Sequence, residues 1–395
     1  MLPFTYAVRN LVRSKSRLLQ TIGGSAVVVL LVMTAVAINS GRKRVLSASG
    51  SEHNVILVGA GSEESIQRSE VPESTAGIAE AAVVGIAESL GVRAVSREIH
   101  YMNYLTLPDG RKCQALLRGV TLQALRVHPE VRLVAGNFPA AGELMVGRLA
   151  WRKLGLTARD LQPGRTLILD GQALKISAIF AAPGTVLESE VWATLGDLRV
   201  LAKRETLSCV VLRLTDPADY AEADLFAKQR LDLELSALRE SDYYSRLSAF
   251  FKPLRAMTWI TAALIAVGAI FGGVNTLYAA FASRVREMAT LQSIGFGRGA
   301  LLVSLIQEST MACLTGALLA SVIAVALLDG QTIPFSIGAF TLEVGPGVAI
   351  TGILTGLLLG LVGALPPAVR CLTRHRNELP RCRPPPKCDR PNYPN

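Results

Sequence analysis

The sequence predicts an α-helical membrane protein with four transmembrane helices and an α+β extracytoplasmic domain inserted between helices 1 and 2. Three observations carry that prediction. Half of the 395 residues are hydrophobic and the mean hydropathy is +0.37, too apolar for an ordinary soluble domain. Apolar runs of bilayer length occur at 18–40, 256–283, 300–328 and 344–369. Between the first and second lies a mixed-charge stretch, 41–255, in which no run is long enough to cross a membrane.

The formal net charge of +10 would favour nucleic acid if it formed one patch. It does not. Arg9, Arg13, Lys15 and Arg17 precede the first run, Arg284, Arg286 and Arg298 lie in the loop at 284–299, and a basic tail follows Arg370, while residues 41–255 are nearly balanced. The excess flanks the apolar runs, which is the signature of membrane topology and lipid headgroup contact, not of a nucleic-acid partner.

Taken in order, residues 1–17 place Phe4, Ala7, Val8, Leu11 and Val12 on one helical face, with Arg9, Asn10 and Arg13 opposite. That is the pattern of an interfacial helix on the cytoplasmic side. A signal peptide competes with this reading, because Ala35-Val36-Ala37 resembles a cleavage site. The charge-free interval from Arg17 to Arg42 is longer than a typical signal core, about 36 Å as helix, which favours an uncleaved first span.

From 41 to 255 short β-type runs alternate with helical ones. Val55–Val58 and Val92–Val95 are expected as strands, Gly77–Leu90 and Gly147–Leu154 as helices, and Asp219–Leu238 as a longer helix. Pro108-Asp109-Gly110 and Asp170-Gly171 predict two hairpin turns. Tyr243, Tyr244, Phe250 and Phe251 suit either a membrane–water interface or ordinary packing. Gly268, Gly272 and Gly273 in the second run, and Gly352, Gly356, Gly360 and Gly363 in the fourth, would permit close helix packing. Residues 329–343 carry no Lys or Arg and are expected as a short outer loop. The tail 370–395, basic and rich in proline, returns to the cytoplasm.

Little in the chain points to catalysis. No G-x-x-x-x-G-K-[ST], H-E-x-x-H or G-x-S-x-G motif is present, and Gly59-Ala60-Gly61 lacks the third glycine of a dinucleotide turn. His53, His100, His128 and His375 have no ligand spacing, so no metal set is expected. Cys113 and Cys209 would share the outer domain and could pair there if close. Glu308 is the one ionisable residue inside a span. It is either a switch between packing states or a carboxylate satisfied by its surroundings.

The segment 283–299, SRVREMATLQSIGFGRG, sits between the second and third runs. Val285, Met288, Ala289, Leu291 and Ile294 recur at helical spacing, and Gly295 and Gly297 end the pattern. Its arginines assign this face to the cytoplasm. The basic A-x-R-N-L-x-R-S-K (Ala7–Lys15), the R-x-R-E-M-A-x-L-Q-S-I-G loop (Arg284–Gly295) and the following Glu308 and Gly316 together resemble the MacB/FtsX-type permease family, the membrane subunits of ABC transporters. In the central domain Gly136-Asn137-Phe138, Glu143–Gly147 and Ala150–Leu156 are similar to the family's pattern, with Asn137 at a position usually held by Arg.

The resemblance implies a multi-pass protein of the bacterial inner membrane, with both termini cytoplasmic. It has no catalytic residues of its own, and ATP and Mg belong to a separate ATPase partner. It further implies that Arg284, Arg286, Glu287, Met288, Leu291, Ile294 and Gly295 form the helix that docks on that ATPase. Movement of the periplasmic domain would then drive export. A second permease subunit, identical or paralogous, and a periplasmic adaptor are the other partners it implies. A membrane-tethered extracytoplasmic ligand sensor, or a regulator of cell-envelope enzymes without transport, is the rival reading.

Overall fold

The computed structural model describes residues 15–107, 110–282, 285–335 and 338–374. The expected interfacial helix up to residue 14, the Pro108-Asp109 turn tip, Arg284 and the tail from 375 lie outside them. The chain divides into two compact units, Ala35–Trp259 with Leu327–Val344, and Met1–Thr34 with Ile260–Ala326 and Gly345–Asn395.

Helix α1 (Lys15–Ser49) runs well past residue 40, because nothing breaks it before Gly50. Val45 and Leu46 are buried in the first unit. Strand β1 (Asn54–Gly59) follows, then α2 (Ser74–Ala82) and the small hairpin β2 (Glu88–Ser89) and β3 (Val92–Arg93). The helix expected over 77–90 therefore stops at Ala82: Gly85 takes φ +82°, and Leu90 and Gly91 turn the hairpin at φ +53° and +73°. Strand β4 (Val95–Thr106) pairs with β5 (Lys112–Val120) from Ile99↔Gly119 to Thr106↔Lys112.

After α3 (Ala124–Val127) come β6 (Arg132–Gly136), β7 (Glu143–Gly147), α4 (Ala150–Lys153), β8 (Thr166–Leu169) and β9 (Gln172–Ala181). Asp170 and Gly171, both at positive φ, close the β8–β9 hairpin as their sequence predicts. Next are β10 (Val191–Thr194), α5 (Leu195–Ala202), β11 (Cys209–Arg213), α6 (Tyr220–Gln229), β12 (Leu235–Arg239) and α7 (Glu240–Phe250).

The main sheet has ten strands ordered β12-β1-β11-β4-β5-β10-β7-β9-β6, with β8 pairing to β4 and β9. Its pairs are antiparallel except β10 with β5 and β7 with β9. Val55, Leu57, Ile99, Leu117, Leu144, Ile176 and Val210 share one continuous core with α2, α5 and α6. The long helix expected over 219–238 is corrected by this sheet. Leu235–Arg239 pairs with β1, so pairing outweighs helical propensity there.

Helix α8 (Lys252–Ala282) begins at residue 252, after Phe251 breaks from α7. Short α9 (Val285–Ser293) and long α10 (Arg298–Leu328) follow. The loop expected over 329–343 holds a hairpin, β13 (Thr332–Phe335) and β14 (Gly338–Thr341), and α11 (Pro346–Arg374) closes the described chain.

Among the described residues four helices are long and apolar enough to cross a membrane, Leu18–Ser49, Lys252–Ala279, Arg298–Leu328 and Pro346–Val369. In the second unit α1, α10 and α11 pack against one another. A Cβ on Gly316 would lie 2.7 Å from the Ile22 carbonyl oxygen, one on Gly356 2.6 Å from the Ala317 Cβ, and one on Gly360 2.6 Å from the Thr310 Cα. The glycines expected to pack α8 do something else: Gly268, Gly272 and Gly273 have nothing within 4 Å of an added Cβ.

Candidate coupling site

Helix α9 is amphipathic and only 9 residues long, so it depends on its ends. Its C-terminus is closed by two hydrogen bonds. Phe296 N–H donates to Leu291 O at 3.1 Å and Gly295 N–H donates to Gln292 O at 3.0 Å. With Gly295 at φ +104°, this is a Schellman motif, which satisfies carbonyls the helix would otherwise leave open. Glu287 is exposed, Leu291 is half-buried, and Ile294 keeps 70% of its surface accessible. The backbone of Arg286 and Met288 lies in α9, while their side chains, like the whole of Arg284, fall outside the description. Glu308 sits on α10 about 15 Å from Arg298 along the axis, half-buried and in contact with its surroundings.

A second arrangement, within the sheet-bearing unit, joins the far end of α1 to the start of α7. A Cβ on Gly50 would lie 2.5 Å from the Ser241 Cα, so only glycine fits there. The Glu240 carboxylate, 2% exposed, accepts from Ser51 N–H at 3.1 Å and from Asn54 Nδ2 at 2.9 Å. Ser49 Oγ accepts from Val186 N–H at 2.8 Å.

The β13–β14 hairpin is fastened to the same unit. Lys153 Nζ donates to Phe335 O at 2.5 Å, and Ala339 N–H donates to Ser189 Oγ at 2.9 Å. Arg44 pairs with Glu343, Phe335 stacks edge-on against Phe251 at 6.2 Å, and Arg42 lies 5.2 Å from the Phe251 ring centre. Tyr243 and Tyr244 are buried in this unit, which settles them as packing residues, while Phe250 stays 76% exposed.

Behind Glu240 lies a buried charge cluster that no sequence motif signals. Arg118 Nε and Nη2 donate to the two oxygens of Glu190 at 2.8 and 2.9 Å, and its Nη1 donates to Glu98 Oε2 at 2.6 Å. Trp192 Nε1 also donates to Glu190 at 2.8 Å. His128 Nε2 meets Glu98 Oε1 at 3.1 Å, and its Nδ1 faces Glu130 at 3.5 Å and Glu240 at 3.9 Å.

The charges set one another's protonation. Burial raises the Glu98 pKa, but Arg118 and the two histidines override it and hold the carboxyl well below the ordinary range. Burial opposes a charged His128, yet Glu130, Glu98 and Glu240 raise it to about 10. Burial and Arg118 push His100 down, and burial pushes Glu240 up. Glu98, His100 and Cys209 bring three ligand-type atoms within 4.8 Å of one another. The Arg118 guanidinium already sits on the Glu98 oxygen of that trio and supplies the cation there. Cys113 and Cys209 do not form a disulfide with each other: in the strand register Cys113 lies opposite Leu105 and Cys209 opposite Glu98, far apart along β4.

A family model for the MacB-like periplasmic core domain matches residues 18–224, and one for the FtsX-like permease C-terminal matches residues 259–375. Among solved structures, the periplasmic region of MacB from Actinobacillus actinomycetemcomitans is similar at 10% identity, over 51% of this chain and 94% of that one, with a TM-score of 0.38. The extracellular domain of the ABC-type transporter YknZ from Gram-positive bacteria is similar at 12% identity, over 47% and 99%, with a TM-score of 0.36. No curated protein matches the chain.

Proposed function

The chain belongs to the MacB/FtsX-type permease family, the membrane component of ABC-type transporters that works with an ATPase partner, and on that premise we propose that it is a mechanical transmission subunit. It sits in the bacterial inner membrane with both termini and α9 in the cytoplasm, and its sheet domain, inserted between the first and second spans, lies outside. Two such subunits, identical or paralogous, engage two ATPases that bind ATP and Mg. A periplasmic adaptor is a further partner.

ATPase closure pushes on α9 through Arg284, Arg286 and Glu287 by polar contact and through Met288, Leu291 and Ile294 by apolar contact. Gly295 holds the end of the helix in shape. The spans pass the push outward as a rigid-body shift, with Glu308 as a candidate switch between packing states. The outer domain then moves against a substrate for export.

The observation that carries this reading is the capped amphipathic α9, with Glu287 exposed and Ile294, two turns further on, 70% exposed. A large apolar side chain left in water at the end of a helix that also presents a carboxylate is what an ATPase groove would cover. The Gly50–Ser241 approach supports the second half, since it joins the end of the long α1 to the start of α7, which leads into α8.

The test is co-purification from a detergent extract, comparing the intact chain with the double variant Glu287→Ala, Leu291→Arg. An ATPase recovered with the first and lost with the second, at equal membrane insertion, supports coupling. No ATPase with either removes the mechanism and favours a ligand sensor.

A further inference from the structure

The sheet-bearing unit carries, where α1 and α8 enter it, a group of cations that none of the preceding roles uses. The charge-free run of α1 ends at Arg42, and the charge-free run of α8 begins after Arg255. The fold brings these two boundary residues to one level. Arg42 lies 5.2 Å from the Phe251 ring centre, and Arg255 is one helical turn from Phe251, its N–H donating to Phe251 O at 3.0 Å. Both arginines are half-buried, and their like charges repel each other. Lys43 and Lys252, next to them in the chain, are exposed.

The chain does not neutralise this collar. Residues 41–51 and 243–259 contain no Asp or Glu. Of the acids in the adjoining segment 329–343, Glu343 is taken by Arg44, and Asp329 accepts from Val344 N–H at 2.9 Å. Arg246 has Glu63 near it. Among the described residues, no carboxylate forms an ion pair with Arg42, Lys43, Lys252 or Arg255. Arg42 has only the Asn39 amide oxygen at 3.1 Å and the Phe251 ring. Two half-buried guanidinium groups held close together are stabilised by an anion that both can reach.

The surroundings say what kind of anion. Phe250, Leu254, Met257 and Trp259 are exposed around the same turns, so the cations stand at the border of an apolar surface. Aromatic side chains and snorkelling Arg and Lys at the end of a span are the marks of a membrane–water interface. An occupant must therefore be anionic where it meets the arginines and apolar where it meets Leu254 and Met257. Lys and Arg are scarce on the outer side of membrane proteins, so cations gathered there against the positive-inside rule need a local partner.

We propose that this collar binds the phosphate of an anionic phospholipid in the outer leaflet, with Arg42 and Arg255 as its clamp and Lys43 and Lys252 as flanking charges. The inference rests on the topology given under Proposed function, with the sheet domain outside, and is independent of ATPase coupling.

The experiment uses the full chain reconstituted in phosphatidylcholine vesicles doped with a phosphatidylglycerol that carries a diazirine on its headgroup. After photolysis, labelled residues are mapped in the wild type, in the pair Arg42→Gln, Arg255→Gln, and in the pair Lys43→Gln, Lys252→Gln. The expected result is labelling at 39–46 and 250–259 that falls about tenfold in the arginine pair and about threefold in the lysine pair. Labelling near Arg298, at the other end of the spans, stays constant. A phosphatidylcholine with the same headgroup diazirine should label the collar weakly in all three forms.

Equal labelling of the collar by the two lipids overturns the proposal, and so does equal labelling in the wild type and both variants. Loss of the label on addition of inorganic phosphate also overturns it, because the collar would then be a site for a free anion. A thermal scan separates a lost contact from a misfolded chain in the arginine pair, and if that pair unfolds early the exposed lysine pair decides alone. Topology is read separately, from the reaction of Glu205→Cys, an exposed position of the sheet-bearing unit, with a membrane-impermeant maleimide in intact spheroplasts. Reaction there supports an outer-leaflet site. Reaction only after lysis, with the contrast between the two lipids intact, overturns the topology and the outer-leaflet assignment but not the phosphate contact.

Discussion

Gly50 and Ser241 approach so closely that a methyl on the first would lie 2.5 Å from the Cα of the second. Backbone lies against backbone at the point where α1 ends and α7 begins, and the Glu240 carboxylate ties the two by accepting from Ser51 N–H. Gly50→Val has no flexible neighbour to displace, so it must part the two helix ends. Overpacking of this kind costs about 1–3 kcal/mol. The expected outcome is a lower unfolding midpoint of the full chain in detergent. ATPase binding to α9 should survive, while ATP-driven movement of the outer domain, read by a distance label, should be lost. Retained movement would show that the joint carries no force.

Arg118 lies between Glu98 and Glu190 with almost no solvent contact, all three being at most 3% exposed. Arg118→Met preserves volume but leaves two carboxylates uncompensated. Breaking a buried ion pair from one side costs about 3–5 kcal/mol. The triple change Arg118→Met, Glu98→Gln, Glu190→Gln should recover a large part of that loss. Denaturant titration of the three forms checks this, and a triple variant no better than the single one would place the cost in packing around Trp192.

The same cluster predicts an alkaline weakness. His128 has its pKa raised to about 10, above its value of about 6.5 in an unfolded chain. Its stabilising contribution is therefore complete below about pH 6.5 and is lost as pH rises through about 10. Glu98 works in the opposite direction, contributing above about pH 4.3 and losing that contribution in acid. His128→Asn should flatten the alkaline fall in unfolding midpoint and shrink the Glu98 acid limb without abolishing it, because Arg118 still holds that carboxyl down. The wild-type minus variant difference across pH 6–11 isolates the histidine from Glu240 and the buried tyrosines.

The four apolar helices were legible because bilayer length and missing charge are local properties of sequence. The α9 end at Gly295 was legible for the same reason, since a glycine after an amphipathic run is a local stop signal. The Arg118 cluster was not. Glu98, Arg118, His128, Glu190 and Glu240 come from five separate segments: the β4–β5–β10 register aligns Glu98, Arg118 and Glu190, while His128 arrives from the end of α3 and Glu240 from the start of α7. Leu235–Arg239 was misread as helix because its partner strand, β1, lies about 180 residues earlier. The β13–β14 hairpin is not legible because the turn dipeptide of this segment, Asp329-Gly330, precedes β13 instead of lying between the two strands.

Glycine in a membrane helix has two different jobs here, and substitution separates them. A Cβ on Gly360 would meet the Thr310 Cα at 2.6 Å, whereas one on Gly268 meets nothing within 4 Å. Gly360→Val must push α11 off α10 and lose the packing that holds helices together in lipid, where no hydrophobic effect compensates. Gly268→Val enters open space and gains helix propensity of a few tenths of a kcal/mol relative to glycine. The expected outcome is a fall of several degrees in the thermal midpoint of the purified chain for Gly360→Val and little change for Gly268→Val. Equal losses would mean that α8 packs through Gly268 against a surface from another subunit. A repeat of the scan across protein concentration would then expose that contact, because its contribution would fade on dilution.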